Sequence, residues 1–261
     1  SEESPPVELG KSNIWIGEFQ ITSLPPKEFA RQLSLHISKY FFAIKNSEFL
    51  DASWDEESFK YRSFNIVRLY GDGDKFTKWV CAVILGKYDL FSSPQTAFVY
   101  FAKIAKILAE MQNLLGCLWI LCAFQQPCIH RLVHLTDSAK QELVKWTIKE
   151  TGILFNFDEG SRQPIMESEY ALKRGGPVIP TLPYFLNKLA IHFRVNFLTK
   201  GEFINVQSMM EAYSLISNIK AFMKTGYNFL PIEQAQDFLD DVPVVSDNEL
   251  DDLSAVLEPL I

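Results

Sequence analysis

Residues 177–202 read PVIPTLPYFLNKLAIHFRVNFLTKGE, and the rest of the chain is organised around them. Pro180 and Pro183 stop any preceding helix, because a ring nitrogen donates no hydrogen bond and crowds the previous turn. After them Leu182, Leu186, Leu189 and Phe193 recur at spacings of four, three and four, one face of an α-helix. From Phe193 the pattern becomes alternation, with Phe193, Val195 and Phe197 set against Arg194 and Asn196, which predicts a short extended piece. A second, longer helix begins near Glu202 and runs from Phe203 through Ile204, Met210, Tyr213, Ile216 and Ile219 to Met223. The stretch is therefore a helical hairpin over about residues 182–206. It reads either as an arm that leaves the body to engage a partner or as an ordinary hairpin packed in a core.

On the N-terminal side, residues 1–20 carry prolines and glutamates and then Ile14, Ile16, Phe19 and Ile21 in a short extended pattern, a linker laid against the body. Residues 21–261 read as one domain. Pro25 and Pro26 suit a helix's first turn, and Phe29, Ala30, Leu33, Ile37, Tyr40, Phe41 and Ile44 continue it as a stripe. Phe49, Leu50 and Trp54 give a short bridging helix. Residues 64–85 give another helix, with Gly71-Asp72-Gly73-Asp74 as a break or loop inside it. Ser92 and Gln95 resemble a capping box ahead of a central helix that is apolar almost all round. Residues 114–124 form a buried helix, residues 138–151 an amphipathic one, and residues 156–169 are polar and irregular. Ser246 and Glu249 cap a last helix. With no convincing strand pair and no repeat, the chain reads as all-α, with about ten helices.

Composition narrows the function. At 261 residues and 48% hydrophobic content the chain can bury a large core. The longest apolar run, 11 residues at 114–124, is too short to span a bilayer. No signal peptide opens the sequence, so a soluble intracellular protein is expected, cut from something longer. A net charge of −7 argues against general nucleic-acid binding, which needs a basic stripe to displace counterions. Cys81, Cys117, Cys122 and Cys128 form no CxxC pair and read as reduced core thiols. Asp240-Asp241 and Asp251-Asp252 read as solvated faces. No phosphate loop, dinucleotide turn, HExxH or GxSxG motif is present. The Gly71–Asp74 run lacks the closing glutamate of a calcium loop. His130 and His134 share an i,i+4 face without a third ligand nearby, and His36 and His192 have no triad partner in sequence. No metal site is expected.

A resemblance runs along most of the chain. Phe29-Ala30-Arg31-Gln32-Leu33-Ser34-Leu35, Ser47-Glu48-Phe49-Leu50 with Trp54, Asn65 with Trp79, and Asn113 with Gly116 ahead of Arg131-Leu132 come first. Val178-Ile179-Pro180, Ile204-Asn205-Val206 and Leu253-Ser254-Ala255-Val256-Leu257-Glu258-Pro259 follow. In this order they resemble the catalytic domain of Ras-family guanine nucleotide exchange factors of the Son-of-sevenless type. The resemblance implies an all-helical bowl with a protruding hairpin, which grips a Ras-, Rap- or Ral-type small GTPase and displaces its switch segments so that GDP leaves. It implies no covalent chemistry and no cofactor of the exchanger's own, since Mg2+ and GDP or GTP belong to the GTPase. It also implies a cytoplasmic protein brought to the inner membrane surface by its GTPase.

The resemblance places hairpin residues of the exchange site at Leu186, Leu189, Ala190, Phe193 and Arg194. It places GTPase contacts at Leu69, Gly71, Asp74, Phe124, Gln125, His130, Thr181, Lys188, Ile191 and Asn196. Five of these depart from the family pattern. Ala190 stands where the family carries a leucine aimed at the magnesium site, and Arg194 stands in place of its phosphate-side glutamate. Gly71 stands in place of an arginine, and Gln125 and His130 in place of asparagine and tyrosine. Ala190 and Arg194, one turn apart, are expected to look outward. At about 4 Å a charge reversal changes an interaction by roughly 2 kcal/mol in water and 8 at an effective dielectric of 20, so Arg194 should attract phosphates. The alternative is a catalytically degenerate domain that keeps the fold as a docking module. Arg31, Asn65, Asn113, Arg131 and Asn205 are expected to hold helices together through buried hydrogen bonds.

Overall fold

In the computed structural model, which describes residues 20–132, 162–195, 199–200 and 203–257, Pro26 occupies the first turn of α1 (Pro26–Phe41). The linker before residue 20, the helix expected at 138–151, His134, Asn196 and Glu258-Pro259 lie outside the described residues. The α1 stripe buries Phe29, Ala30, Leu33, Ile37 and Phe41 completely. Phe29 is the centre of an aromatic cluster, with ring centroids 6.2 Å from Phe76, 6.4 Å from Trp79, 6.1 Å from Tyr100 and 6.3 Å from Phe101. On the same helix Gln32 is buried and serves a distant loop. Its Nε2 donates to the Leu230 carbonyl (2.9 Å), and its Oε1 accepts from the Ile232 amide (2.9 Å).

Three 3-10 turns (Asn46–Phe49, Ser53–Asp55, Glu57–Ser63) bridge to α2 (Phe64–Ile84). The buried Glu48 carboxylate accepts from the Asn65 amide (2.7 Å) and Asn65 Nδ2 (2.8 Å), placing negative charge at the positive end of α2. The helix then runs unbroken through residues 71–74, where the sequence predicts a break. The glycines serve packing instead, because a Cβ on Gly73 would stand 2.5 Å from the Trp119 indole nitrogen. Asp72 is held by Arg68 Nε (2.9 Å) and faces His36 Nε2 at 3.3 Å. Helix α3 (Pro94–Glu110) is capped by Ser93, not by Ser92, its hydroxyl accepting from the Thr96 amide (3.2 Å). α4 (Leu114–Gln125) is the expected buried helix, and the short α5 (Pro127–His130) follows it.

The Asn113 side chain caps α4 by accepting from the Gly116 amide (2.9 Å) and donates to Ser34 on α1 (3.0 Å). The backbone beside it pairs with the lead-in to the hairpin: the Leu114 amide donates to the Ile179 carbonyl (2.9 Å), and the Ile179 amide to the Gln112 carbonyl (3.0 Å). Helix α6 (Arg162–Arg174) replaces the irregular stretch expected at 162–169. Gly175 and Gly176, at φ of 83° and 88°, turn the chain back toward that corner in a conformation only glycine adopts freely. From there α7 (Leu182–Val195) extends, and it stays helical through Phe193–Val195, where alternation predicted an extended piece. The apolar alternation there is a helix end whose Phe193 packs while Arg194 and Val195 face solvent. The extended part comes later, as an antiparallel pair of two-residue strands, β1 (Thr199–Lys200) and β2 (Phe203–Ile204).

Asn205 caps the return helix α8 (Val206–Ala221) by accepting from the Ser208 amide (3.1 Å), so that helix starts later than Phe203. Of the residues along the expected helix, Met210 and Tyr213 are exposed, while Ile216 and Ile219 are buried. α9 (Glu233–Asp240) and α10 (Asp247–Leu257) close the chain, α10 starting at the Ser246 cap as expected. Asp240 is more than a solvated face. Its carboxylate accepts from Lys39 Nζ (2.9 Å) and the Tyr40 hydroxyl (2.9 Å), and its carbonyl from Arg68 (2.8 Å). Arg131 Nε donates to Ser254 Oγ (2.5 Å), tying α5 to α10. Among the described residues the fold is thus all-α, with ten helices and one two-residue strand pair. None of those helices is long and apolar enough to cross a membrane. All four cysteines are free, and three of them are buried.

Candidate functional site

The hairpin helix α7 has a root and a tip with different chemistry. Leu182, Phe185, Leu186, Leu189 and Ala190 are buried, so apolar packing anchors the root. Beneath it the Thr181 amide donates to Ser168 Oγ (3.2 Å) and the two hydroxyls lie 3.1 Å apart, fixing α7 to α6. Beyond Ala190 one face of the helix opens to solvent, with Ile191 50% and Val195 69% exposed, while His192 stays buried. Polar contacts on two sides hold this outer part, among them His192 Nδ1 3.7 Å from the Glu211 carboxylate. His192 Nε2 lies 3.1 Å from the Ser208 carbonyl and 3.2 Å from its hydroxyl, linking α7 to α8. On the other side Arg194 donates to the Asp55 carboxylate, an ion pair reaching back to the bridging 3-10 turn.

Two concavities flank the root. The first, about 380 Å³, is mostly apolar; α2 supplies Leu69, Tyr70 and Thr77, α4 supplies Leu118, Trp119 and Cys122, and Pro183 and Tyr184 close it. The second, about 410 Å³, lies between α2, the bridging turns and α7, with Gly71 and Ala190 among its lining residues and Trp54, Asp55, Lys60 and Asn187 around them. Tyr70 lines both. Packing that strips water from its phenol, helped by the nearby Asp55 carboxylate, raises its pKa to about 12, so it stays a neutral hydrogen-bonding group at physiological pH. Burial likewise raises the Cys122 thiol, which keeps it protonated. Among the described residues no cluster of His, Cys, Asp or Glu is arranged to hold a metal ion.

The sequence-predicted residues distribute unevenly over this surface. Leu69 and Asp74 meet at the first concavity, Gly71 and Ala190 at the second. Lys188, Ile191, Gln125 and His130 are exposed. Phe124 is half-buried and stacks on Phe98, ring centroids 4.2 Å apart, so its face is already occupied. Thr181, expected at a contact surface, is buried in its bond to Ser168. Ala190 does not look outward: it is buried at the helix–body seam and reaches open space only through the second concavity. Arg194 is exposed as expected, with its charge directed at Asp55. Phe193 turns to the opposite side of the hairpin, into an apolar groove with Leu50, Met209 and Tyr213.

Tyr70, Trp54, Asp55 and Asn187 were missed as lining residues. Tyr70 carried a usable signal, since it lies between two residues already singled out on one helix. Asp55 carried none, because its partner is 139 residues away. Of the residues expected to hold helices together through buried hydrogen bonds, Asn113 is buried and links α4 to α1, Asn65 and Arg131 make such links while half-buried, Asn205 caps its own helix, and Arg31 bonds Glu28 one turn away on α1.

Comparison with known proteins bears on what this surface does. Residues 28–210 match the family model described as RasGEF domain, a span from α1 into α8 that includes the whole hairpin. Ras guanine nucleotide exchange factor J of Dictyostelium discoideum is 29% identical over 251 residues, covering 95% of this chain and 30% of that protein. Factor I of the same organism is 28% identical with the same coverage. Factor G is 28% identical over 239 residues, 92% of this chain and 15% of that protein. The chain therefore spans less than a third of the length of these relatives.

Proposed function

This chain belongs to the RasGEF domain family, and on that premise we propose that it binds a Ras-family small GTPase and speeds release of the bound nucleotide. The observation that carries the reading is the hairpin itself: the family match encloses it, two open concavities flank its root, and Lys188, Ile191 and Arg194 on α7 are exposed. Nanomolar nucleotide binding is worth about 12 kcal/mol, more than any single contact can offset. The hairpin would act by moving several of the GTPase's own contacts at once. Leu186 and Leu189 support it from below, Lys188, Ile191 and Arg194 face the GTPase, and Ala190 with Gly71 leaves room between hairpin and α2 for a GTPase side chain. Tyr70 offers a neutral hydroxyl at the same place. The exchanger carries no cofactor; Mg2+ and GDP or GTP arrive with the GTPase. It works in the cytoplasm and reaches the inner membrane surface through its GTPase.

A fluorescent-nucleotide release assay over Ras-, Rap- and Ral-type GTPases tests this. Micromolar domain should accelerate release from at least one of them, and a folded, monodisperse domain that accelerates none refutes exchange. One observation favours the second reading, a docking module without exchange: the Arg194 charge is neutralised within the domain instead of being left to the nucleotide site. Linkage separates the two, because whatever weakens nucleotide must be weakened by nucleotide. An exchanger captures more GTPase after chelator strips the nucleotide, and a docking module captures both forms equally.

A further inference from the structure

The hairpin's root is fixed by burial, and the outer turn of α7 is held on one side by the buried His192 and by Phe193 in its groove with Leu50. Every apolar position of α7 from Leu182 to Ala190 that faces the body is buried, and past Ala190 the fractional exposure of Ile191 and Val195 climbs to 50% and 69%. On the α2 side the described contact of this outer turn is polar. His192 ties the turn to Ser208 on α8, the return arm of the same hairpin. The one described ion pair from the tip to the body is Arg194 to Asp55, and it crosses beside the concavity that Asp55 and Ala190 share with Gly71 and Tyr70. Asp55 is held in place in turn: its 3-10 turn is fixed by the buried Ser53, whose hydroxyl lies 2.7 Å from that of Ser63, and by the mostly buried Trp54.

We propose that Asp55 is a positioning residue for exchange: by holding the Arg194 guanidinium it sets how far the hairpin stands from α2, and so the width of the groove that receives the GTPase. This rests on the exchange reading above. It assigns a role to a residue no sequence motif marks, and it gives Arg194 a partner in its own chain instead of a phosphate. With side chains 66% and 50% exposed, the pair is screened by solvent and contributes little to global stability. Such a contact suits a movable part: strong enough to bias an angle, weak enough to yield when the GTPase docks. Local opening of the tip, not unfolding, is what its loss should change.

The test uses Asp55→Asn, Arg194→Gln and the charge-swapped pair D55R/R194D, with two readouts. Amide hydrogen exchange over residues 190–195 in the free domain needs no GTPase. Each single variant should speed it about two- to five-fold, the range expected from losing one exposed ion pair, and the swap should restore it. Nucleotide release, on a GTPase that the native domain activates, is measured against domain concentration. The single variants should lower the saturating rate about two- to five-fold with the half-saturating concentration little changed, and the swap should recover it. Unchanged hydrogen exchange in both single variants, or a swap that fails to restore it, overturns the proposal even if release is normal. If no GTPase responds to the native domain while hydrogen exchange follows the expected pattern, exchange fails as the function and the positioning contact stands.

Discussion

Gly71 and Gly73 stand two residues apart in the same continuous helix, and alanine at each should have opposite effects. Inside a helix alanine is favoured over glycine by about 1 kcal/mol, because glycine loses more backbone freedom on folding. At Gly71 a Cβ would meet nothing within 4 Å, so Gly71→Ala is expected to stabilise by about 0.5–1 kcal/mol. At Gly73 the Cβ would lie 2.5 Å from Trp119 Nε1 and 2.8 Å from Cε2. These atoms belong to a rigid, nearly buried indole packed on Phe76 at 5.9 Å, so the ring must move as a whole. Overpacking of this kind costs about 1–3 kcal/mol, against the same helix gain. Since that gain is common to both variants, their difference isolates the clash at about 1–3 kcal/mol. At about 2–4 °C per kcal/mol for a domain this size, the gap in Tm is about 2–12 °C. Urea unfolding and thermal scans of the two variants side by side measure it. A Gly73→Ala protein as stable as Gly71→Ala would refute close packing of α2 on α4 and return residues 71–74 to the loop that the sequence suggests. Trp119 also lines the first concavity, so a displaced ring should narrow it and lower exchange in the Gly73 variant.

Leu189→Ala removes a fully buried side chain from the hairpin root and should cost about 2–5 kcal/mol in urea unfolding; a cost under 1 would mean the root is not packed as seen. Arg194→Glu sets like charges face to face across the Asp55 contact, yet should change stability by less than about 1 kcal/mol, an effect that shrinks in high salt. A larger, salt-insensitive loss would show a structural role beyond the pair. Asp240 is expected to make stability pH-dependent. Partial burial opposes ionisation, but hydrogen bonds from Lys39 and Tyr40 and the nearby His36 and Lys39 outweigh it and hold the carboxyl below its usual range. A depressed folded pKa gives stability that is complete above the unfolded value, near 4, and is lost as pH falls through the folded one. The stability gap between native protein and Asp240→Asn should therefore be widest at neutral pH and close in acid, and a gap that grows on acidification would refute the argument.

Much of the fold was legible because helices announce themselves by period. The stripes of α1, α3 and α4 and the caps at Pro26 and Ser246 depend on residues within a turn or two of one another. The errors lie where distant contacts overrule local preference. Gly-Asp-Gly-Asp is a turn by composition, but Trp119, more than forty residues on, makes the small residues an asset inside a helix. Ala190 shows the same limit from the other side. Helical spacing puts it on one face with Arg194, and the two do share a turn. Spacing cannot tell that the body rises to cover one and stops short of the other.

The site was legible in outline and opaque in its charges. A resemblance between sequences transfers positions: Gly71 and Ala190, singled out separately although both differ in type from the family pattern, line one groove. It does not transfer electrostatics, because a side chain's field depends on what faces it. Arg194 read alone is a cation free to attract phosphate; beside Asp55 it is half of a neutral pair. At an effective dielectric near 20, a charge reversal at about 4 Å is worth roughly 8 kcal/mol when the charge is unpaired. A carboxylate in contact with the guanidinium reduces the field seen beyond the pair to that of a dipole, which falls off faster with distance. The departure at Arg194 therefore weighs much less against exchange than the isolated residue suggests, and what it alters first is the stance of the hairpin.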